Sequence, residues 1–308
     1  MLIDSHVHIF PEVKGYGPKG NTRSANYGQI DFGDGNPVYV LPVTNEKTAH
    51  TLEMLMHNMN RYSVDKAVLI LCPCYGDWSE YILQACRDYP DKFVGSAFFD
   101  PWRGDAQQYY RETLRGSTWK NIKIEFSEVG GLCGVYPGAN LDAPELHWLW
   151  ESMEADGKTV SFDLGRPQDR SYQTEQIEAI ARRHPGLKLV LCHMGQPSRN
   201  AEQDPILWDR WLRQIRLGQL DNVWFDVSAM PYHVQDSEAY PFSSTKRYFD
   251  LALSIVGPDK LMWGTDIPWM LGTADYGQFV SHAYYLTNAL SCEDREKILS
   301  ENAMKVYW

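Results

Sequence analysis

The chain has 308 residues, a formal net charge of −11, 44% hydrophobic residues and 22% charged residues. That length suits two ordinary domains or one α/β barrel of about 250 residues with additions, and either buries a sizeable core. The acidic balance excludes a basic, phosphate-tracking face, so nucleic acid and anionic membrane surfaces are not expected as partners.

The opening MLIDSHVHIF lacks the basic and long apolar regions of a signal peptide, and no apolar run approaches a membrane span. Six cysteines are too sparse for a disulfide scaffold, so reduced thiols in a cytoplasmic protein are expected. Eleven Trp and eighteen Tyr are read mostly as core fillers, with some left to line a pocket.

In chain order, strands are predicted at Met1–His8, Lys66–Cys72, Phe93–Asp100, Asn121–Phe126, Thr159–Leu164, Leu187–His193, Asn222–Ser228 and Leu261–Asp266. Most are near-continuous apolar runs, as parallel strands buried on both faces require. Helical spacing follows each: a segment from Thr44 carrying Leu52, Leu55, Met56 and Met59, then Ser79–Asp88, Ala106–Arg115, Pro144–Asp156, Thr174–Arg183, Pro205–Gly218, Ser244–Val256 and Tyr276–Leu290. Tyr89-Pro90, His184-Pro185-Gly186 and Gly257-Pro258 mark helix stops. Eight strand–helix units predict a single (β/α)8 TIM-like barrel over residues 1–308, with a doubly wound open sheet as the alternative.

Two stretches exceed this plan. Residues 10–42, rich in Gly, Asn and Pro, form a long loop insertion after the first strand, expected to be a lid, a binding loop or a homo-oligomer contact. Residues 291–307 read as an extra C-terminal helix capped by Ser291.

Barrel strands converge on one mouth at their carboxyl ends. His6 and His8, two apart on the first strand, point to one side and suit a shared metal ion. His193 closes the sixth strand, where a satisfied core histidine is the ordinary reading. Asp266 closes the eighth, where a buried carboxylate must be paired, metal-bound or catalytic. Lys123 and Glu125 share one face of the fourth strand, either as an ion pair or as substrate and metal contacts. Arg23 in the insertion and Arg166 after the fifth strand are candidate forks for a carboxylate. His233 follows the seventh strand within reach of the mouth, whereas His50, His57, His147, His184 and His282 are assigned to structure. Cys72-Pro73-Cys74 has the wrong spacing for a zinc or thioredoxin-type motif and reads as packed thiols.

Asp4-x-His6-x-His8, His193-x-Gly195-x-Pro197, Trp263-Gly264-Thr265-Asp266-x-Pro268 and the closing Lys297-Ile298-Leu299 with Asn302-Ala303 together resemble the amidohydrolase superfamily. The branch they resemble holds sugar and muconate lactonases and non-oxidative decarboxylases. The resemblance implies a distorted barrel with one divalent metal ion, zinc or manganese, or in some lactonases little metal dependence. Decarboxylase-like members carry a metal-binding histidine at the fifth strand's end. This chain has Asp163 there, which either replaces that ligand or binds substrate, and the segment through Arg166-Pro167 is closer to the sugar lactonases.

The resemblance therefore implies a hydrolase opening a small anionic or lactone-like ring. His6, His8 and Asp266 are the metal ligands, Asp266 and His193 the catalytic pair, and Lys123, Glu125, Asp163, Arg166 and Arg23 the substrate contacts. Carbon–carbon cleavage, by decarboxylation of an aromatic acid or hydrolysis of a cyclic diketone, is the alternative. A non-catalytic ligand-binding barrel is the third reading.

Overall fold

The computed structural model describes residues 1–43, 45–234 and 238–308. Among them are twelve strands: β1 (Ile3–Val7), β2 (Lys14–Gly17), β3 (Gly20–Ser24), β4 (Gln29–Asp31), β5 (Val38–Tyr39), β6 (Lys66–Ile70), β7 (Phe93–Phe98), β8 (Asn121–Glu125), β9 (Thr159–Asp163), β10 (Lys188–Leu191), β11 (Val223–Asp226) and β12 (Leu261–Met262). The eight predicted strands correspond to β1 and β6–β12, which run parallel in chain order. The last and first meet through Ser5 N–H to Trp263 O (3.0 Å), Asp266 N–H to His6 O (2.8 Å) and His8 N–H to Ile267 O (2.8 Å). The single barrel is the fold.

Outward-facing strand residues such as Leu69, Ile122, Val160, Leu189 and Phe225 pack against the helices in one large core. The barrel interior is layered because every second residue of a strand points inward. At the floor, Ile3, Val68, Val94, Val190 and Trp224 pack with Ala303, Val306 and Tyr307 of the C-terminal segment. That segment lies under the strands' amino ends: Thr159 Oγ1 donates to Val306 O (2.8 Å) and Lys188 Nζ to Lys305 O (2.7 Å). Above it, Asn121 Nδ2 donates to Ser96 Oγ (2.7 Å) and Ser161 Oγ (2.9 Å), satisfying a polar layer across β7, β8 and β9. His6, His8, Lys123, Glu125 and Asp163 occupy the next layer, at the carboxyl ends.

Strands six and eight are shorter than their apolar runs suggest. β10 stops at Leu191 because His193, Met194 and Gln196 take left-handed φ values of 58°, 49° and 53°. β12 stops at Met262, and the chain then turns through Asp266 at φ 63°. Thr44 lies outside the described residues; the first helix occupies Leu52–Tyr62, where Thr51 Oγ1 accepts the Met54 N–H at 3.4 Å. Ser291 caps the terminal segment, accepting the Asp294 N–H at 3.1 Å.

The 10–42 stretch is more ordered than a loop. β2–β5 form an antiparallel sheet within it, with its own small core of Val13, Ile30, Val40 and Leu41 packed on Phe10 and Tyr75. The sheet is fastened to the turn after β6 by Tyr16 N–H to Pro73 O (3.0 Å), Lys14 N–H to Tyr75 O (3.2 Å) and Thr22 Oγ1 to Cys74 O (2.5 Å). Gly15 permits this approach, since a Cβ there would fall 2.0 Å from Pro73 O.

Candidate active site

His6 and His8 are buried at the end of β1, and their neighbours determine which ring nitrogen carries hydrogen. The Ile70 carbonyl can only accept, so the His8 nitrogen facing it, Nδ1 at 2.8 Å, must be N–H. The other nitrogen, Nε2, stands 3.1 Å from Asp266 Oδ1. His6 Nδ1 lies 3.1 Å from Asp226 Oδ2, while its Nε2 lies 3.7 Å from the same Asp266 oxygen. In the neutral tautomers, two nitrogen lone pairs and a carboxylate oxygen thus face one another within 4.8 Å. Acceptors gathered this closely need a cation or a proton among them, and two imidazoles with one carboxylate match the donor set of a single divalent ion. The residues fit the metal.

Asp226, which sequence reasoning did not single out, organises this group. It accepts from His6 Nδ1, from the His193 N–H (2.9 Å), from the Ser228 N–H (3.2 Å) and from the Ser228 hydroxyl. Burial alone would raise its pKa, but His6, His193 and Ser228 hold it well below the usual carboxylate range. It is placed to orient His6 through Nδ1, and with His6 and His193 it also forms a second group whose ligand atoms lie within 4.8 Å of one another. Val223-Trp224-Phe225-Asp226 carried the same signal as the eighth strand, an acid closing a buried apolar run.

Ser228 has one hydrogen and gives it to Asp226, so its oxygen accepts from His193 Nδ1 at 2.7 Å. His193 Nε2 is then left facing Asp163 Oδ2 at 3.4 Å. Burial opposes charge on this ring, yet Asp163, Asp266 and Asp226 overcome it and raise His193 to about 9. The ring stacks on His6 with centroids 4.9 Å apart. Burial likewise opposes ionisation of Asp266, but His8, His193 and His6 lower its pKa. Burial pushes His6 down to about 4, against the pull of Asp226.

Lys123 and Glu125 form the buried ion pair that was one of their two expected roles, at 3.6 Å, with Lys123 Nζ also 3.2 Å from Cys192 Sγ. Both still line the cavity. Burial and the Asp163 charge push Glu125 up to about 7, and Ser127 Oγ donates to it at 2.6 Å. Asp163 accepts from Gln196 Nε2 and the Gly165 N–H, each at 2.8 Å. It lies on the His193 side of the group, away from the His6–His8–Asp266 cluster.

These side chains form the bottom of a cavity of about 450 Å³ at the barrel mouth. Tyr75, Tyr232 and Trp269 form apolar walls, and Gly17, Lys19, Phe32, Asp34 and Asn36 of the insertion reach over it. Arg166 and His233 also line it. Arg23 does not reach it: its guanidinium is exposed and pairs with Asp31 at 2.9 Å across the insertion sheet, so that expectation is corrected. The register of β3 against β4 places Arg23 opposite Asp31, which the sequence could not show. Cys72 and Cys74 are free thiols on the cavity wall with sulfurs 3.2 Å apart. Among the described residues no helix is long and apolar enough to cross a membrane.

Residues 3–308 match the sequence model of the amidohydrolase family. Over 141 residues the chain is 27% identical to L-fucono-1,5-lactonase of Burkholderia multivorans, a stretch covering 44% of this chain and 48% of that protein. The chain thus matches about half the length of that relative. An amidohydrolase from Burkholderia multivorans with bound HEPES superposes with a TM-score of 0.75 at 20% identity, covering 100% of this chain and 99% of that one. Its zinc-bound crystal form gives 0.73 at 18%, with coverage of 100% and 99%. A probable 2-pyrone-4,6-dicarboxylic acid hydrolase from Acinetobacter baumannii, with citric acid bound, gives 0.69 at 16%, covering 99% of this chain and 98% of that one. At these identities the structural likenesses speak for the barrel fold.

Proposed function

The chain belongs to the amidohydrolase family, and from that premise we propose that it hydrolyses the ester bond of a small lactone, with His6, His8 and Asp266 holding one divalent metal ion. The observation that carries this reading is the grouping around His6 at the bottom of one cavity: Asp266 Oδ1 lies 3.7 Å from His6 Nε2 and 3.1 Å from His8 Nε2, and the His193 ring stacks on His6 at 4.9 Å. Ester hydrolysis needs an acceptor for the proton of water, here Asp266, and a donor for the oxygen that gains charge, here His193. The lactonase relative and the zinc in a related structure support the reading.

A divalent ion, zinc or manganese, would supply Lewis acidity toward the ester carbonyl or the attacking water. Asp266 accepts the proton of the attacking water through Oδ2, since Oδ1 is the oxygen turned to His6 and His8. His193 is anchored through Nδ1 to Ser228, so the proton it delivers to the ring oxygen sits on Nε2. Asp163 keeps that nitrogen protonated and aimed into the cavity. Tyr232 and Trp269 exclude bulk water from the walls.

The test is acid release in an unbuffered pH-stat assay on a panel of five- and six-membered sugar lactones, alongside carbon dioxide release from aromatic carboxylic acids. Acid release from at least one lactone, at a rate well above its spontaneous opening, is the expected result. Carbon dioxide release with inert lactones would replace the hydrolase reading with the decarboxylase one.

A further inference from the structure

The cavity's charged groups are nearly all accounted for by one another. Lys19 pairs with Asp34 at 2.8 Å, Lys123 with Glu125 at 3.6 Å, His193 with Asp163 at 3.4 Å and His8 with Asp266 at 3.1 Å. Arg166 is the exception. Its guanidinium makes no ion pair and no side-chain hydrogen bond with any described residue, although it is half-buried and lines the cavity. The carboxylate next to it, Asp169, is already engaged: its Oδ2 accepts the backbone N–H of Arg166 at 2.8 Å.

The position is built rather than incidental. Asp163 Oδ1 accepts the Gly165 N–H, and Gly165 sits at φ +74° with room for no side chain, since a Cβ would fall 2.7 Å from Asp169 Oδ2. This turn fixes Arg166 three residues after Asp163, which faces His193. On the same cavity, His233 lies against His193 with ring centroids 5.1 Å apart and planes tilted by 37°, and its buried Nδ1 has no hydrogen-bond partner among the described residues. A buried polar nitrogen without a partner and a guanidinium without a direct ion pair, both among the described residues, together define an incomplete site.

We propose that Arg166, with His233 beside it, binds a carboxylate on the substrate, so that the preferred lactones are those of sugar diacids, which keep a free carboxylate, over neutral lactones ending in a hydroxymethyl group. The proposal rests on the lactone reading above and adds the substrate class. Guanidinium matches carboxylate with two parallel hydrogen bonds; the neighbouring Asp169 feels the Arg166 charge but forms no ion pair with it. The carboxylate end anchors at Arg166 while the ester is presented to Asp266 and His193.

The test uses a matched pair, D-glucaro-1,4-lactone and D-glucono-1,4-lactone, which differ in that terminal group. Wild-type kcat/KM is expected to favour the glucarolactone, and Arg166→Gln to lower that preference by about 10- to 100-fold, expressed in KM, with Arg166→Lys recovering part of it. Equal preference in the wild type, or an unchanged ratio in Arg166→Gln, would overturn the proposal while leaving lactone hydrolysis standing. Calorimetric binding of D-glucarate separates the two readings further. If no lactone is turned over, glucarate binding by the wild type that Arg166→Gln abolishes upholds the carboxylate site, and glucarate binding indifferent to Arg166 overturns it.

Discussion

Replacing Asp226 with Asn tests how the barrel prepares its metal ligands. Asp226 receives four donors, and three of them, the His193 N–H, the Ser228 N–H and the Ser228 hydroxyl, fall on Oδ1. The amide oxygen of Asn can keep those three. The other oxygen, 3.1 Å from His6 Nδ1, becomes an NH2 group that can only donate. His6 must then give up its Nδ1 hydrogen and carry it on Nε2, the nitrogen that faces His8 and Asp266. A protonated Nε2 cannot ligate, so the ion is held only after a tautomer change. Loss of such an orienting carboxylate costs about 10- to 100-fold in metal affinity, or about 1.4–2.7 kcal/mol. Competition between the protein and a chromophoric zinc chelator measures it, with circular dichroism confirming the fold. Unchanged affinity in Asp226→Asn would refute the orienting role, and with it the tautomer argument for His6.

Three further outcomes follow from packing and burial. Gly15→Val places side-chain atoms against Pro73 O and Gly76 N, so the insertion sheet should come away from the mouth. Limited proteolysis within residues 10–42 should then become faster and KM should rise, while urea unfolding of the barrel changes little. Tyr307→Ala removes a fully buried ring from the barrel floor and should cost about 3–5 kcal/mol in chemical denaturation. His282 is buried against Thr245, 2.8 Å from its hydroxyl, and burial lowers its pKa to about 4. The unfolded chain therefore takes up a proton near pH 6.5 that the folded chain refuses. The contribution is fully present above pH 6.5 and is lost toward pH 4, at no more than about 1.4 kcal/mol per pH unit. His282→Gln should flatten that acid limb of the stability curve.

The barrel was legible because each of its strands is an apolar run long enough to be seen locally, and each carboxyl end is marked by the first polar residues. His6, His8 and Asp266 were found in this way, and they converge because strand eight closes on strand one. Asp226 carried the same mark and was passed over, since its importance lies in four hydrogen bonds to residues on three elements. Arg23 was misplaced for the complementary reason: a loop arginine is assigned by its cross-strand partner, and the pairing of Arg23 with Asp31 exists only once the insertion folds. That insertion read as a loop because its strands are only two to five residues long and its small core is completed by Tyr75 from the turn after β6, so no local periodicity announces the sheet. The short sixth and eighth strands have a backbone cause. His193 and Asp266 adopt positive φ, and sequence pattern alone does not report where a non-glycine residue takes that conformation.

The central claim is that Asp266 acts on water at the foot of this cavity. Its most direct test is acid release by Asp266→Asn on the best lactone of the panel, at metal content matched to the wild type. A fall of about 100- to 10,000-fold is expected, the usual worth of a positioned general base. Turnover within a few-fold of the wild type would contradict it.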